Sequence, residues 1–278
     1  MKLITQIKES IIFLGFLKDN NPVYTGTGFL IQVDNIFYVV TAKHVVEKDF
    51  KNMFIFRNSK NFGINYRPIA EILQKGLSWK VHQNSSVDIA MLPFIMSDED
   101  RVKFVPKELF IDNEKEISEL TELFFGSYQP GINDLDKQIN SVVRKGVVSR
   151  INPEKTFYMD GFAFPGNSGS PVFLLPTSIK IDDNGSVQIG APMQVKLAGI
   201  IGAYVPYEDV AISQQTGRIK NISTENTGLA LVHSTILLNE ITRSDSFQEQ
   251  HQTILQDMRK NQNKEYGEKQ VKSSEDKK

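Results

Sequence analysis

The chain has 278 residues, 40% of them hydrophobic and 23% charged, a balance that supports a buried core and excludes a disordered polymer. Its 32 basic and 33 acidic side chains leave a formal net charge of −1, so no global field draws it to nucleic acid or to an acidic membrane surface. It has no cysteine, which excludes disulfides, thiolate catalysis and cysteine-ligated zinc and fits a reducing compartment such as the cytoplasm.

Residues 11–17 are as apolar as the core of a secretion signal, but Lys8-Glu9 before them and Lys18-Asp19-Asn20-Asn21 after them, with no small-residue cleavage site, favour a strand. No stretch reaches the ~18 uncharged apolar residues of a membrane-spanning helix. Residues 26–33 and 36–40 are two β-rich runs split by Asp34-Asn35, which reads as a hairpin. Further strands are expected at 53–57, 89–94, 123–125, 142–149, 172–175 and 197–204, and a second hairpin turn at Asp182-Asp183-Asn184-Gly185. Between 97 and 122 the chain becomes charged and loses alternation, as a linker between two β modules would. A long loop is expected over 206–226. Near the end, Ile236, Leu237, Leu238 and Ile241 suggest a short helix. Phe247, His251, Ile254 and Met258 then recur at helical spacing behind an Asp245/Gln248 cap, an apolar stripe suited to packing, to a partner or to a second copy. After Met258 the composition predicts a solvated, mobile tail.

Three runs carry chemistry. Val39-Val40-Thr41-Ala42-Lys43-His44 places a histidine just past a buried strand, and Val87-Asp88-Ile89-Ala90 places a carboxylate at the mouth of another, where it needs a partner. Gly166-Asn167-Ser168-Gly169-Ser170-Pro171 sets a serine in a backbone open enough for a substrate carbonyl to approach the Gly166 and Ser168 amides. A nucleophilic serine requires a base, a carboxylate to orient that base and donors for the oxyanion, and the three runs supply one candidate for each. His82 is the rival base; His233 and His251 have no suitable neighbours in sequence.

These runs, in the order His, Asp, Ser, resemble the marks of the trypsin and chymotrypsin superfamily. Tyr24-Thr25-Gly26-Thr27-Gly28-Phe29, Phe125-Gly126-Ser127-Tyr128, Arg144-Lys145-Gly146-Val147, Leu197-Ala198-Gly199-Ile200 and Thr227-Gly228-Leu229-Ala230 extend the resemblance over about residues 10–240. It looks most like the cysteine-free bacterial branch that includes the high-temperature-requirement proteases, without a segment for their second, peptide-binding domain. The resemblance implies an all-β protein of two six-stranded antiparallel β-barrels with a C-terminal helix, divided as 1–112, 113–243 and 244–278. It implies a serine endopeptidase acting on polypeptides, with His44 as base, Asp88 as its orienting carboxylate, Ser168 as nucleophile, the Gly166 and Ser168 amides as oxyanion hole, and Thr41 bonded to Asp88. The primary specificity pocket would be formed by Phe162, Gly202, Ala203, Tyr204 and Gly228. Neither a metal nor a cofactor is implied.

Two departures from the family pattern matter. Asn167 stands where the animal digestive enzymes carry an aspartate that receives a newly cut N-terminus, so no zymogen switch is expected. Gly202 replaces a serine that supports the triad carboxylate. Phe162 at the pocket, with no acidic side chain, argues against lysine or arginine at the cleavage position. A binding module built on a protease fold is the alternative function. An α/β-hydrolase is disfavoured, because Ser170 occupies the fifth position of its nucleophile elbow and the best histidine precedes the serine.

Overall fold

The computed structural model describes residues 2–47, 52–132, 137–176, 179–181, 186–189 and 195–275. A helix missed at the sequence level, α1 (Lys2–Ser10), opens the chain and buries Ile7 in the largest core. The first half then forms β1 (Ile11–Lys18), β2 (Asn21–Val33), β3 (Ile36–Thr41), α2 (Lys43–Glu47), β4 (Phe54–Asn58), β5 (Ile64–Pro68), α3 (Ile69–Leu73), β6 (Lys80–Val81), β7 (Ala90–Pro93) and β8 (Val105–Pro106). The second half contains β9 (Glu122–Ser127), β10 (Val142–Asn152), β11 (Thr156–Asp160), β12 (Pro171–Leu174), β13 (Ile179–Ile181), β14 (Val187–Ile189), β15 (Leu197–Ile212) and β16 (Ile219–Ser234), and ends in α4 (Thr235–Arg243) and α5 (Asp245–Glu275).

β1 is paired on both edges, by β2 and β4, and its two faces enter separate cores, which explains its continuous apolar run. Ile12 and Leu14 enter the core inside the first sheet, while Ile11 and Phe13 enter a separate aromatic cluster with Phe56. The same two-residue alternation sorts β2 and β3: Leu30 and Val39 face inward, whereas Phe29, Ile31, Tyr38 and Val40 face a core shared with Phe124, Phe173, Leu197, Leu237 and Phe247. That shared core joins the two halves and seats α4 and α5.

The second half contains the expected six-stranded barrel, closed in the order β10-β11-β16-β15-β12-β9. The first half is larger and less closed than a six-stranded barrel: its eight strands run β5-β4-β1-β2-β3-β7-β6, with β8 added in parallel to β2. All-β is the class throughout, with the helices at the ends.

Other expectations shift. The charged segment 97–122 is packed rather than a free linker, because Asp100 is buried on Arg57 (Nε to Oδ1, 2.7 Å) and Ile111 and Ile117 enter the core of the second barrel. Residues 206–226 are not a loop, since β15 and β16 run on as an exposed two-stranded ribbon, paired from Pro206↔Asn226 to Ile212↔Ile219. β13 and β14 pair antiparallel as expected, while their turn at 182–185 lies outside the described residues. Ser244, not Asp245, caps α5, its hydroxyl accepting from the Phe247 amide at 3.4 Å. The backbone of α5 stays helical to Glu275, well beyond Met258, in a segment rich in Lys, Glu and Gln, which are good helix formers even without an apolar face.

The start of α5 docks on the chain's own body. Phe247 packs against Tyr38, a burial that contributes on the order of 2–3 kcal/mol. His251 is buried with both ring nitrogens bonded, Nδ1 to the Tyr38 hydroxyl (2.7 Å) and Nε2 to Asp34 (2.8 Å). Burial, aided by nearby Asp34, holds the Tyr38 hydroxyl protonated far above its ordinary range. No helix among the described residues is long and apolar enough to cross a membrane.

Candidate active site

β3 ends at Thr41, and Ala42 leads into the single turn α2 that carries His44. Asp88 precedes β7, which pairs with β3, so the two side chains meet at the same end of neighbouring strands. The contact is double: Asp88 Oδ1 accepts from the His44 amide at 2.8 Å, and Oδ2 lies 2.6 Å from His44 Nδ1. A carboxylate at that distance fixes the proton on Nδ1 and leaves Nε2 as a base. The Asp88 hydrogen bond, opposed by burial, raises the His44 pKa above its ordinary value. For Asp88 burial pushes upward, but the ring and amide of His44 together outweigh it and hold the carboxyl ionised below its usual range.

The serine loop lies on this strand end. Gly169, at φ +84°, is wedged so tightly that a Cβ there would lie 2.1 Å from the Thr27 carbonyl oxygen, 2.3 Å from Thr41 Oγ1 and 2.9 Å from the Ala42 amide. Only glycine fits, and the fit seats the adjacent Ser168 at the strand end that leads through Ala42 into the histidine's turn. On its other side the loop is tied to β15, Gly169 N donating to Ile201 O at 2.7 Å and Ile201 N to Ser170 O at 3.0 Å.

The turn that presents the Gly166 amide is also fixed. Asn167 N donates to Phe164 O at 2.9 Å across Pro165-Gly166, and Gly166 has φ +93°, the signature of a type II turn. Asn167 is fully buried: its Oδ1 accepts from Phe164 N at 2.9 Å and its Nδ2 donates to Tyr128 O at 2.5 Å. The asparagine therefore holds the loop from within the chain, at the position where the digestive enzymes use an N-terminus. Neither the Gly166 nor the Ser168 amide donates to a protein acceptor among the described residues.

Thr27, which sequence reasoning did not single out, is the hub of this arrangement. Its amide donates to Ser168 O (3.0 Å), its hydroxyl donates to Gly166 O (2.7 Å) and accepts from Tyr128 N (2.9 Å), and its carbonyl accepts from Thr41 Oγ1 (2.7 Å). Thr41 is thus turned to Thr27 rather than to Asp88, correcting the expected bond. One threonine between two glycines carries no sequence signal of such a role.

The expected specificity residues are only partly gathered. The Phe162 ring, at φ +24° and half exposed, lies over Gly228, whose Cβ would stand 3.3 Å from it, and both the Gly161 and Phe162 amides donate to Gly228 O. Gly202 is buried beside Asp88, Ala203 is exposed, and Tyr204 packs against the core of the second barrel. Of the other histidines, His82 has Nε2 on Glu240 (2.8 Å) and Nδ1 accepting from the Asn84 amide (3.0 Å), so neither nitrogen is free to act as a base. His233, which has no suitable neighbours in sequence, is buried against Gly202, near Asp88 Oδ2.

None of the curated proteins matches this chain. Among solved structures, a human heparin-binding protein superposes with a TM-score of 0.50 over 84% of this chain and 88% of its own, at 9% identity, a likeness of fold alone. The sequence matches the Trypsin-like peptidase domain over residues 26–176, a span that includes the runs around His44, Asp88 and Ser168. With more than half its length so matched, the chain belongs to the trypsin-like peptidase family.

Proposed function

We propose that the protein is a serine endopeptidase that cleaves polypeptides through an acyl-enzyme, with His44, Asp88 and Ser168 as its triad. The observation that carries this reading is the doubly bonded His44–Asp88 pair, which leaves Nε2 as the free base at the strand end on which the Ser168 loop is wedged. In the first step Ser168 Oγ attacks the scissile carbonyl while His44 Nε2 takes its proton, and the imidazolium is stabilised by ionised Asp88. The Gly166 and Ser168 amides, having no acceptor among the described residues, receive the oxyanion. His44 then protonates the leaving amine, and water, deprotonated by the same nitrogen, releases the acid. Residues 1–112 carry the base and carboxylate, 113–243 the nucleophile. The Phe162 ring over Gly228, with no acidic side chain in the expected pocket set, supports cleavage after apolar rather than basic residues.

A protease-fold binding module is the second reading, favoured by one observation: no hydrogen bond joins Ser168 Oγ to His44 among the described residues. Catalytic hydrogen bonds are commonly long before substrate binds, which is why the endopeptidase reading stands first. Covalent labelling by a fluorophosphonate probe decides between them. Wild type is expected to label and Ser168→Ala or His44→Ala to lose at least ~10³-fold in turnover at nearly unchanged stability. A folded wild type that does not label would leave the binding module.

A further inference from the structure

Asp88 has a second neighbour. Gly202 on β15 leaves no room for a side chain: a Cβ there would lie 2.9 Å from both Cδ2 and Nε2 of the His233 ring, with Asp88 Oδ2 3.5 Å away on another side. The Nε2 edge of His233 and the carboxylate oxygen that binds His44 therefore converge on the same small space. His233 is held there by β16, where it pairs with Thr156 of β11 and Ile200 of β15, and it is 3% exposed. Behind it opens a cavity of about 550 Å³ whose walls include Val87, His82, Lys155 and Glu240. The imidazole thus lines that cavity while its Nε2 edge shares the space at Gly202 with Asp88 Oδ2.

The state of the ring follows from its surroundings. Burial, only partly opposed by the Asp88 charge, lowers its pKa and keeps it neutral. Nδ1 is buried with no hydrogen-bond partner among the described residues, so a proton placed there would be an unsatisfied donor, while a bare Nε2 would bring its lone pair near an anion. The tautomer with the proton on Nε2 avoids both penalties and puts a donor on the ring edge nearest the space shared with Asp88 Oδ2.

From this juxtaposition we infer that His233 is a positioning residue for the proposed triad: its imidazole occupies the place a side chain at Gly202 would take and steadies the Asp88 carboxylate in the orientation that binds His44. The inference rests on the triad reading above. It explains how a glycine is tolerated beside the triad carboxylate, since any side chain at 202 would collide with the His233 ring unless the ring moved.

The test uses the full chain in four forms. His233→Ala is expected to lower kcat about 10- to 100-fold with KM little changed, because orientation of the base rather than substrate binding is lost. His233→Gln, which keeps a donor amide, should retain most of kcat. The double variant Gly202→Ser/His233→Ala, which puts a hydroxyl into the vacated space within reach of Oδ2, should recover most of the loss. The downfield proton resonance of His44 Nδ1–H should shift in His233→Ala and return toward wild type in the double variant. An unchanged kcat and resonance in His233→Ala would overturn the inference. So would a folded double variant no better than the single one, which would leave His233 as packing alone. The resonance does not require turnover, so if wild type fails to label, the triad reading falls while the Nδ1 proton still decides whether His233 acts on the His44–Asp88 pair.

Discussion

Thr27→Val isolates the hub that joins the serine loop to the first sheet. Valine keeps the shape, the β-branching and the two backbone bonds, to Ser168 O and from Thr41 Oγ1, and removes only the hydroxyl. Two hydrogen bonds vanish, the one to Gly166 O and the one from Tyr128 N, and both orphaned groups then face a methyl. At about 1 kcal/mol net per bond, with part of the desolvation penalty of each partly buried orphan added, the loss is roughly 2–4 kcal/mol. For a chain of this size that corresponds to a Tm lower by roughly 5–15 °C. The chemical cost is separate: with its carbonyl released, the Gly166–Asn167 peptide can rotate and carry the adjacent oxyanion donor with it, so labelling by a fluorophosphonate should slow about 10- to 100-fold. Thr27→Ser, which keeps the hydroxyl, is the control and should label near the wild-type rate. Urea denaturation gives the first number and probe kinetics the second. A Thr27→Val variant within ~0.5 kcal/mol of wild type and labelling at the same rate would refute the hub.

Asn167→Asp replaces the donor that faces Tyr128 O with a carboxylate oxygen, and should cost about 2–4 kcal/mol. Burial raises the new carboxyl's folded pKa, so the deficit against wild type should be smallest near pH 4 and grow as pH rises, as read from denaturation midpoints across that range. Activity should follow the base: His44 acts when neutral and its pKa is raised, so kcat/KM should rise with pH through a midpoint above the ordinary histidine value. Asp88→Asn should move that limb to lower pH as well as reduce the rate, and an unmoved limb would separate it from His44. Joining Pro206 to Asn226 through Asn-Gly in place of residues 207–225 should leave Tm within ~3 °C, because the ribbon's large side chains, Tyr207, Val210, Ile212, Ile219 and Ile222, are exposed. A fall of more than ~8 °C in differential scanning would mean the ribbon packs on the body.

Elements built on local pattern were legible from the residues themselves. The β2–β3 hairpin follows from two β-branched runs around Asp34-Asn35, the strand nature of residues 11–17 from their flanking charges, and α4 from its apolar spacing. So were the three runs around His44, Asp88 and Ser168, because a tight turn, a strand mouth and a strand end each constrain residue type over a few neighbours. What the chain could not announce was set by long-range pairing. The ribbon at 206–226 is read as loop when its exposed faces offer no clean alternation, and becomes strand only because each half finds the other across a hairpin. Asp100 appears as linker charge until Arg57 meets it in the interior. The site divides in the same way. The sequence by itself determined which side chains are proposed as base, carboxylate and nucleophile, since that choice rests on chemistry and local backbone. Tertiary structure alone decided that Thr27 would hold the serine loop, that Asn167 would be satisfied from within, that Thr41 would turn away from Asp88, and that His233 would stand in the space of a missing side chain. Apart from the Asn167–Phe164 bond within the turn, those contacts join residues far apart in the chain, and no local spacing records which strand edge the folded sheets bring to face another.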